Sequence, residues 1–270
     1  IRGQESEQSA TSAKTLVTEK AQIAWGFTYY GPSTKAANDG FSGDLNRDGE
    51  VTIYSKNGSG KIQPKSADGI AFYYTKIPTS KNFTLRATIT VDSWTYSNGQ
   101  EGFGLLVTDR LGDHGDTSNI MNNQYMIGCT KMEYWYSIDD DGVESIYNSS
   151  VAGKKLSMRL GLGVITKRGY TPDNLETATQ DELFFSSNTL ETSASIEEAG
   201  SYNLVGNYTN ADLGHPDVQK TQTQFVLEIQ RWNSGYIFRY FDSEGNLIKQ
   251  YKEYAPDALD QLDPDYVYAG

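Results

Sequence analysis

Cysteine is nearly absent: Cys129 stands alone in 270 residues, so no internal disulfide can form. It lies in the apolar run YMIGC, where a small buried hydrophobe is the expected role, and only His114 and His215 exist to serve a thiol as base. The same shortage leaves no zinc-type ligand spacing, and a Ser–His–Asp triad has neither a choice of histidines nor a G-x-S-x-G elbow to hold it. GxGxxG and the P-loop are missing too, since GLG at 161–163 lies within a strand-like run and GSGK at 58–61 lacks the second half of the motif. Basic residues are in deficit, 23 against 35 acidic, which gives 23 − 35 = −12. A field of that sign repels phosphate backbones and anionic membranes, which argues against nucleic acid as a partner. An acidic glycan would need a local basic groove or bridging cations. No apolar run approaches the roughly 20 residues that cross a bilayer, so membrane insertion is not expected, and residues 1–20 lack the apolar core of a signal peptide.

What the chain has is tyrosine, glycine and short β-branched runs. With 37% hydrophobic and 12% aromatic residues it can pack a sizeable core. Residues 1–20 are polar and without period, a linker or disordered lead-in, and 21–270 read as a single domain. From Trp25 onward, runs rich in Val, Ile, Thr, Tyr and Phe recur between Gly, Asn and Asp punctuation. The pattern predicts strands over 51–55, 69–77, 83–94, 102–110, 124–130, 132–138, 156–165, 225–232, 236–241 and 247–251. In FTLRATITVD the residues Phe83, Leu85, Ala87, Ile89 and Val91 alternate with polar partners, so one face is core and the other meets water. Turn chemistry predicts hairpins at DDDG (139–142), at 233–235 and at 242–246. The fold class is therefore all-β, a two-sheet antiparallel sandwich or jelly roll with a long, partly irregular insertion around 166–223.

The stretch GDLNRDGEVTIYS (43–55) imitates a calcium loop. Asp44, Asn46, Asp48 and Gly49 occupy the first ligand and turn positions, but Ser55 stands where such loops carry a carboxylate, and no helix frames them. Two readings stay open: an Asx-rich turn feeding a strand, or a structural calcium ion held by Asp44, Asn46, Asp48 and the Glu50 carbonyl with a remote carboxylate.

Catalytic signals are thin. A glycoside hydrolase holds two carboxylates about 5 to 9 Å apart. Yet no strand carries acids at the spacing E-x-D-x-x-E, and neither Glu133 nor Glu228 has an acidic partner two residues away. Aromatics beside polar groups are better represented. Sugars offer apolar C–H faces ringed by hydroxyls, which flat rings flanked by amides, carboxylates or guanidinium groups complement. Candidate carbohydrate-binding residues are Trp94 and Tyr96 after a strand, Tyr134 and Trp135 in KMEYWY, and Asp109, Arg110, His114 and Asn122 in the polar loop DRLGDHGDTSNIMNNQ (109–124). Core and rim packing is the competing role for each ring.

Three stretches, DGIAFYYTKIPTSKNFTLRATITVDSW (68–94), NGQEGFGLLVTDR (98–110) and LDPDYVYAG (262–270), resemble the concanavalin A-like β-sandwich module of large secreted polysaccharide-degrading proteins of Gram-positive bacteria. Such modules occur near pectate lyases of polysaccharide lyase family nine and beside bacterial Ig-like domains. They continue after the final VY-x-G with a strand of the type FFASR, whereas this sequence stops at Gly270. That departure suggests a fragment of a longer protein with covalently linked neighbouring domains, and it leaves one strand of the sandwich to be accounted for. The resemblance implies an extracellular, glycan-binding or targeting domain with catalysis elsewhere in the parent. The alternatives are a sandwich-fold lyase or hydrolase with acids drawn from distant strands, and a structural spacer or adhesin domain.

Overall fold

The computed structural model describes residues 23–44, 49–62, 67–92, 102–138, 140, 144–147, 155–175, 203–204, 221–222, 224–233, 235–253 and 256–270. These residues are all-β apart from one 3-10 turn, Pro256–Leu259. The strands are β1 (Trp25–Tyr30), β2 (Asp39–Ser42), β3 (Thr52–Ser55), β4 (Ile70–Pro78), β5 (Phe83–Thr90), β6 (Phe103–Thr108), β7 (Gln124–Ile138) and β8 (Glu144–Tyr147). They continue with β9 (Lys155–Lys167), β10 (Asn203–Leu204), β11 (Thr221–Gln222), β12 (Gln224–Trp232), β13 (Gly235–Phe241), β14 (Leu247–Glu253) and β15 (Tyr266–Ala269).

Two antiparallel sheets face each other. The smaller runs β14-β13-β12-β5, and its register places Ala87 opposite Leu227 and Leu227 opposite Tyr240. The alternation expected in β5 holds: Phe83, Leu85, Ala87 and Ile89 pack on the core while Thr84, Arg86, Thr88 and Thr90 are exposed. On the water side, Arg239 bonds Glu228 and Gln230 from one strand and Gln250 from the next. A charged cluster there keeps the sheet face solvated without leaving Glu228 unpaired.

The larger sheet has the order β1-β4-β15-β6-β7, with β8 pairing the far end of β7 and β9 running along it from Gln124 to Tyr136. Its inner face contributes Leu105, Val107, Tyr125, Ile127, Val164, Val267 and Ala269 to a common core with Phe225, Leu227, Ile229 and Phe238 of the small sheet. Its outer face is buried as well, by a second cluster built on Tyr30, Phe72, Leu106, Met126 and Ile165. This is why LLV in β6 is apolar throughout instead of alternating.

The predicted turns at 233–235 and 242–246 close β12–β13 and β13–β14. In the second, the Asp242 carboxylate accepts the amides of Glu244 and Asn246, and Gly245 supplies the positive φ of 89°. Three expectations need correction. Residues 124–130 and 132–138 form one strand, since β9 pairs with Thr130 and Lys131 without interruption. Trp25–Tyr30 and Tyr266–Ala269, which the pattern did not mark, are strands of the large sheet, and β15 lies between β4 and β6. The insertion expected from 166 begins later, because β9 extends to Lys167 and a turn follows over 172–175. From 176 on, the insertion lies outside the described residues apart from 203–204 and 221–222.

Candidate functional site

At one end of the large sheet four segments converge: the residues after β6, those before β7, those after β9 and the approach to β15. Asp109 joins them. Its side chain is fully buried and accepts the Asn123 amide at 2.9 Å, the Asn123 Nδ2–H at 2.7 Å and the Leu262 amide at 3.2 Å. Asn123 in turn donates Nδ2–H to the Tyr170 carbonyl and accepts the Tyr170 amide, both at 2.9 Å. Burial pushes the Asp109 carboxyl up to about 6 against the pull of those donors. Beside it the Thr108 hydroxyl accepts Asn122 Nδ2–H at 2.6 Å and lies 2.9 Å from the Asn123 carbonyl.

This knot of polar bonds fixes the floor of a cavity of about 370 Å³, lined by Asp109, Arg110, Leu111, Pro172, Leu175, Leu262, Asp263, Pro264 and Tyr268. Its walls are mostly apolar, and its polar groups are few and oriented. The Tyr268 hydroxyl donates to Asp263 Oδ2 at 2.9 Å, while Asp263 Oδ1 accepts the amides of Asp265 and Tyr266 at 3.1 Å each. Burial, then the Asp263 carboxylate, pushes the Tyr268 phenol up to about 12, so it stays a neutral donor. Arg110 is held by one hydrogen bond, Nη1–H to the Met121 carbonyl at 3.3 Å, and half-buried. Lys76 stands opposite Tyr268 in the β4–β15 register, with its ammonium 3.8 Å from the Tyr266 ring centre and 5.9 Å from that of Tyr268. Arg110 thus shares the cavity lining with Tyr268, while Lys76 lies nearer Tyr266, in a chain of net charge −12.

Of the residues expected to bind sugar, Asp109 and Arg110 meet at this cavity. Asn122 is buried one step behind it, bonded to Thr108 and Gln124. His114 lies on an exposed turn with its ring edge 4.5 Å, centre to centre, from Tyr29. Trp94 and Tyr96 fall outside the described residues, and Tyr134 and Trp135 are described only as backbone of β7. Asp44 and Glu50 are exposed at the two ends of the β2–β3 connection, while Asn46 and Asp48 fall outside the described residues. Among the described residues no three His, Cys, Asp or Glu side chains converge as metal ligands.

Tyr268, Asp263, Lys76 and Leu175 were not singled out from the sequence. The signal for the first two was LDPDYVYAG, where an Asx-type Asp precedes two tyrosines at period two. Lys76 carried none, since only strand register brings it to Tyr268.

Residues 26–153 match the family model of the pectate disaccharide-lyase N-terminal domain. Over 117 residues the chain is 37% identical to pectate lyase L of Thermoclostridium stercorarium, a match covering 43% of this chain and 9% of that protein. Over 67 residues it is 43% identical to the pectate disaccharide-lyase of Dickeya chrysanthemi, covering 23% of this chain and 8% of that protein. The chain spans less than a tenth of the length of these curated relatives. No solved structure matches it. The chain is therefore similar to a module associated with pectate lyases, in the context of polysaccharide degradation. Lys76, Asp109 and Arg110 lie within the stretch matched by the family model, whereas Asp263 and Tyr268 lie beyond it.

Proposed function

We propose that this chain is a non-catalytic glycan-binding domain of an extracellular polysaccharide-degrading protein, and that it takes acidic oligosaccharides of the galacturonate type at the cavity beside Tyr268. The observation that carries this reading is that Arg110 and Tyr268 line one cavity with leucine, proline and two hydrogen-bonded aspartates, and that the Lys76 ammonium lies 5.9 Å from the Tyr268 ring centre. A uronate ring needs a cation for its carboxylate, an apolar or aromatic surface for its C–H face, and an acceptor for a hydroxyl. Arg110, Tyr268 with its apolar neighbours, and Asp263 supply these in turn. The names of the relatives, pectate lyases, support the same substrate class.

A lyase reading meets a specific obstacle. Asp109 has the near-neutral pKa of a general base, but it is fully buried and both its oxygens already accept hydrogen bonds, so it serves the loops and not a substrate.

Titration calorimetry with oligogalacturonides tests the proposal. Wild type is expected to bind, Arg110→Ala to bind at least about tenfold more weakly, a loss of about 1.4 kcal/mol or more, and Tyr268→Ala to bind weakly with an unchanged spectrum of folding. Equal affinity for neutral glucans, or no binding by wild type, overturns it and favours a spacer domain. Unsaturated uronate products from the purified chain would establish a lyase instead.

A further inference from the structure

Behind the outer face of the large sheet, away from the cavity wall, sits a fully buried ion pair. Lys167 Nζ lies 2.6 Å from Asp68 Oδ2, with side chains 2% and 5% exposed. Gln124 Nε2–H donates to the same oxygen at 2.8 Å and receives Asn122 Nδ2–H at 3.0 Å on its own carbonyl. The Tyr30 hydroxyl is buried near this group, feels the Asp68 charge, and has no hydrogen-bond partner among the described residues. Two charges withdrawn from water gain little net energy from each other. Burial does draw the Lys167 ammonium down, with Lys61 adding to the effect, though Asp68 opposes both.

We propose that Lys167 and Asp68 condense to an intramolecular amide, a covalent cross-link between the segment before β4 and the end of β9. The ammonium passes one proton across the short contact to Asp68 Oδ2, leaving a neutral amine and a carboxylic acid. The amine lone pair attacks Cγ, forming the C–N bond and placing the developing charge on Oδ1, while Gln124 Nε2–H holds Oδ2, the oxygen that departs. The nitrogen then passes a second proton directly to the adjoining Oδ2, and the C–O bond breaks to release water. One amide forms, one water leaves, and nothing is oxidised or reduced. Holding the two groups in contact replaces a bimolecular encounter with an intramolecular one. Exclusion of bulk water then disfavours the reverse hydrolysis. The link would close a span of 99 residues in a chain whose single cysteine permits no disulfide.

Intact-mass spectrometry of the purified chain after denaturation reads this directly. The expected mass is one water below that of the sequence, with tandem spectra placing a branched peptide at Lys167 and Asp68. Because Asp68 precedes Gly69, a cyclic imide at that bond would lose the same water. Lys167→Arg separates the two, since it abolishes an amide and leaves an imide in place. Should that variant fail to fold, the branched wild-type peptide still decides, as an imide yields only linear fragments. A wild-type mass equal to that of the sequence after prolonged incubation in the folded state, or a water loss retained in Lys167→Arg, overturns the cross-link.

Discussion

At Asp109 burial and hydrogen bonding pull in opposite directions, and burial prevails, leaving a folded pKa of about 6 against an ordinary 3.8. The folded state therefore binds this proton more tightly than the unfolded chain does. The resulting stabilisation is complete below pH 3.8, shrinks as pH rises between the two values, and is gone above about pH 6. Melting curves of wild type and Asp109→Asn are expected to show wild type gaining, relative to the variant, on going from about pH 7 to pH 4, by up to about 3 kcal/mol. A difference that stays flat across that range would mean that Asp109 titrates normally. The sequence marked this residue as part of a polar loop with candidate contacts. What it could not show is that the carboxylate points inward to Asn123 and Leu262, because Leu262 is 153 residues away.

Among elements, β12 is the centre of the small sheet, paired on both sides and contributing Phe225, Leu227 and Ile229 to the core. Leu227→Ala is expected to cost about 2 to 5 kcal/mol in denaturant unfolding, whereas Thr88→Ala on the exposed face of the adjoining β5 stays within about 0.5 kcal/mol. Similar losses at both positions would mean that the two faces are not distinct. Strands with one wet face were legible in advance because their side chains alternate in polarity. Trp25–Tyr30 hides that rhythm, since both its faces are covered: Tyr30 enters the second cluster while Phe27 meets Phe41 at 4.7 Å. Tyr266–Ala269 was too short to declare itself, and its place between β4 and β6 depends on pairings nearly two hundred residues apart in the chain. Half of the cavity was invisible for the same reason, as β15 carries Tyr268 to it.

For the whole molecule, long-range and local electrostatics differ in sign. A net charge of −12 repels an approaching polyuronate, while under the proposed binding mode Arg110 and Lys76 attract its carboxylates once it arrives. Screening acts on each over about a Debye length of 8 to 10 Å at ordinary salt. Stopped-flow or surface-resonance measurements are thus expected to show association with oligogalacturonides quickening as salt rises, and dissociation quickening as well. An association rate that falls with salt would place a wider basic surface at the site.

The position of β15 has one more consequence. Its hydrogen bonds to β4 and β6 mean that the central seam of the larger sheet is completed by the strand that comes last in sequence among those described. Until then β4 and β6 have open edges with apolar side chains on both sides, the kind of nascent surface on which chaperones act and aggregates begin. Closure of this sheet is therefore a slow, non-local event that waits for a strand far along the chain from its partners.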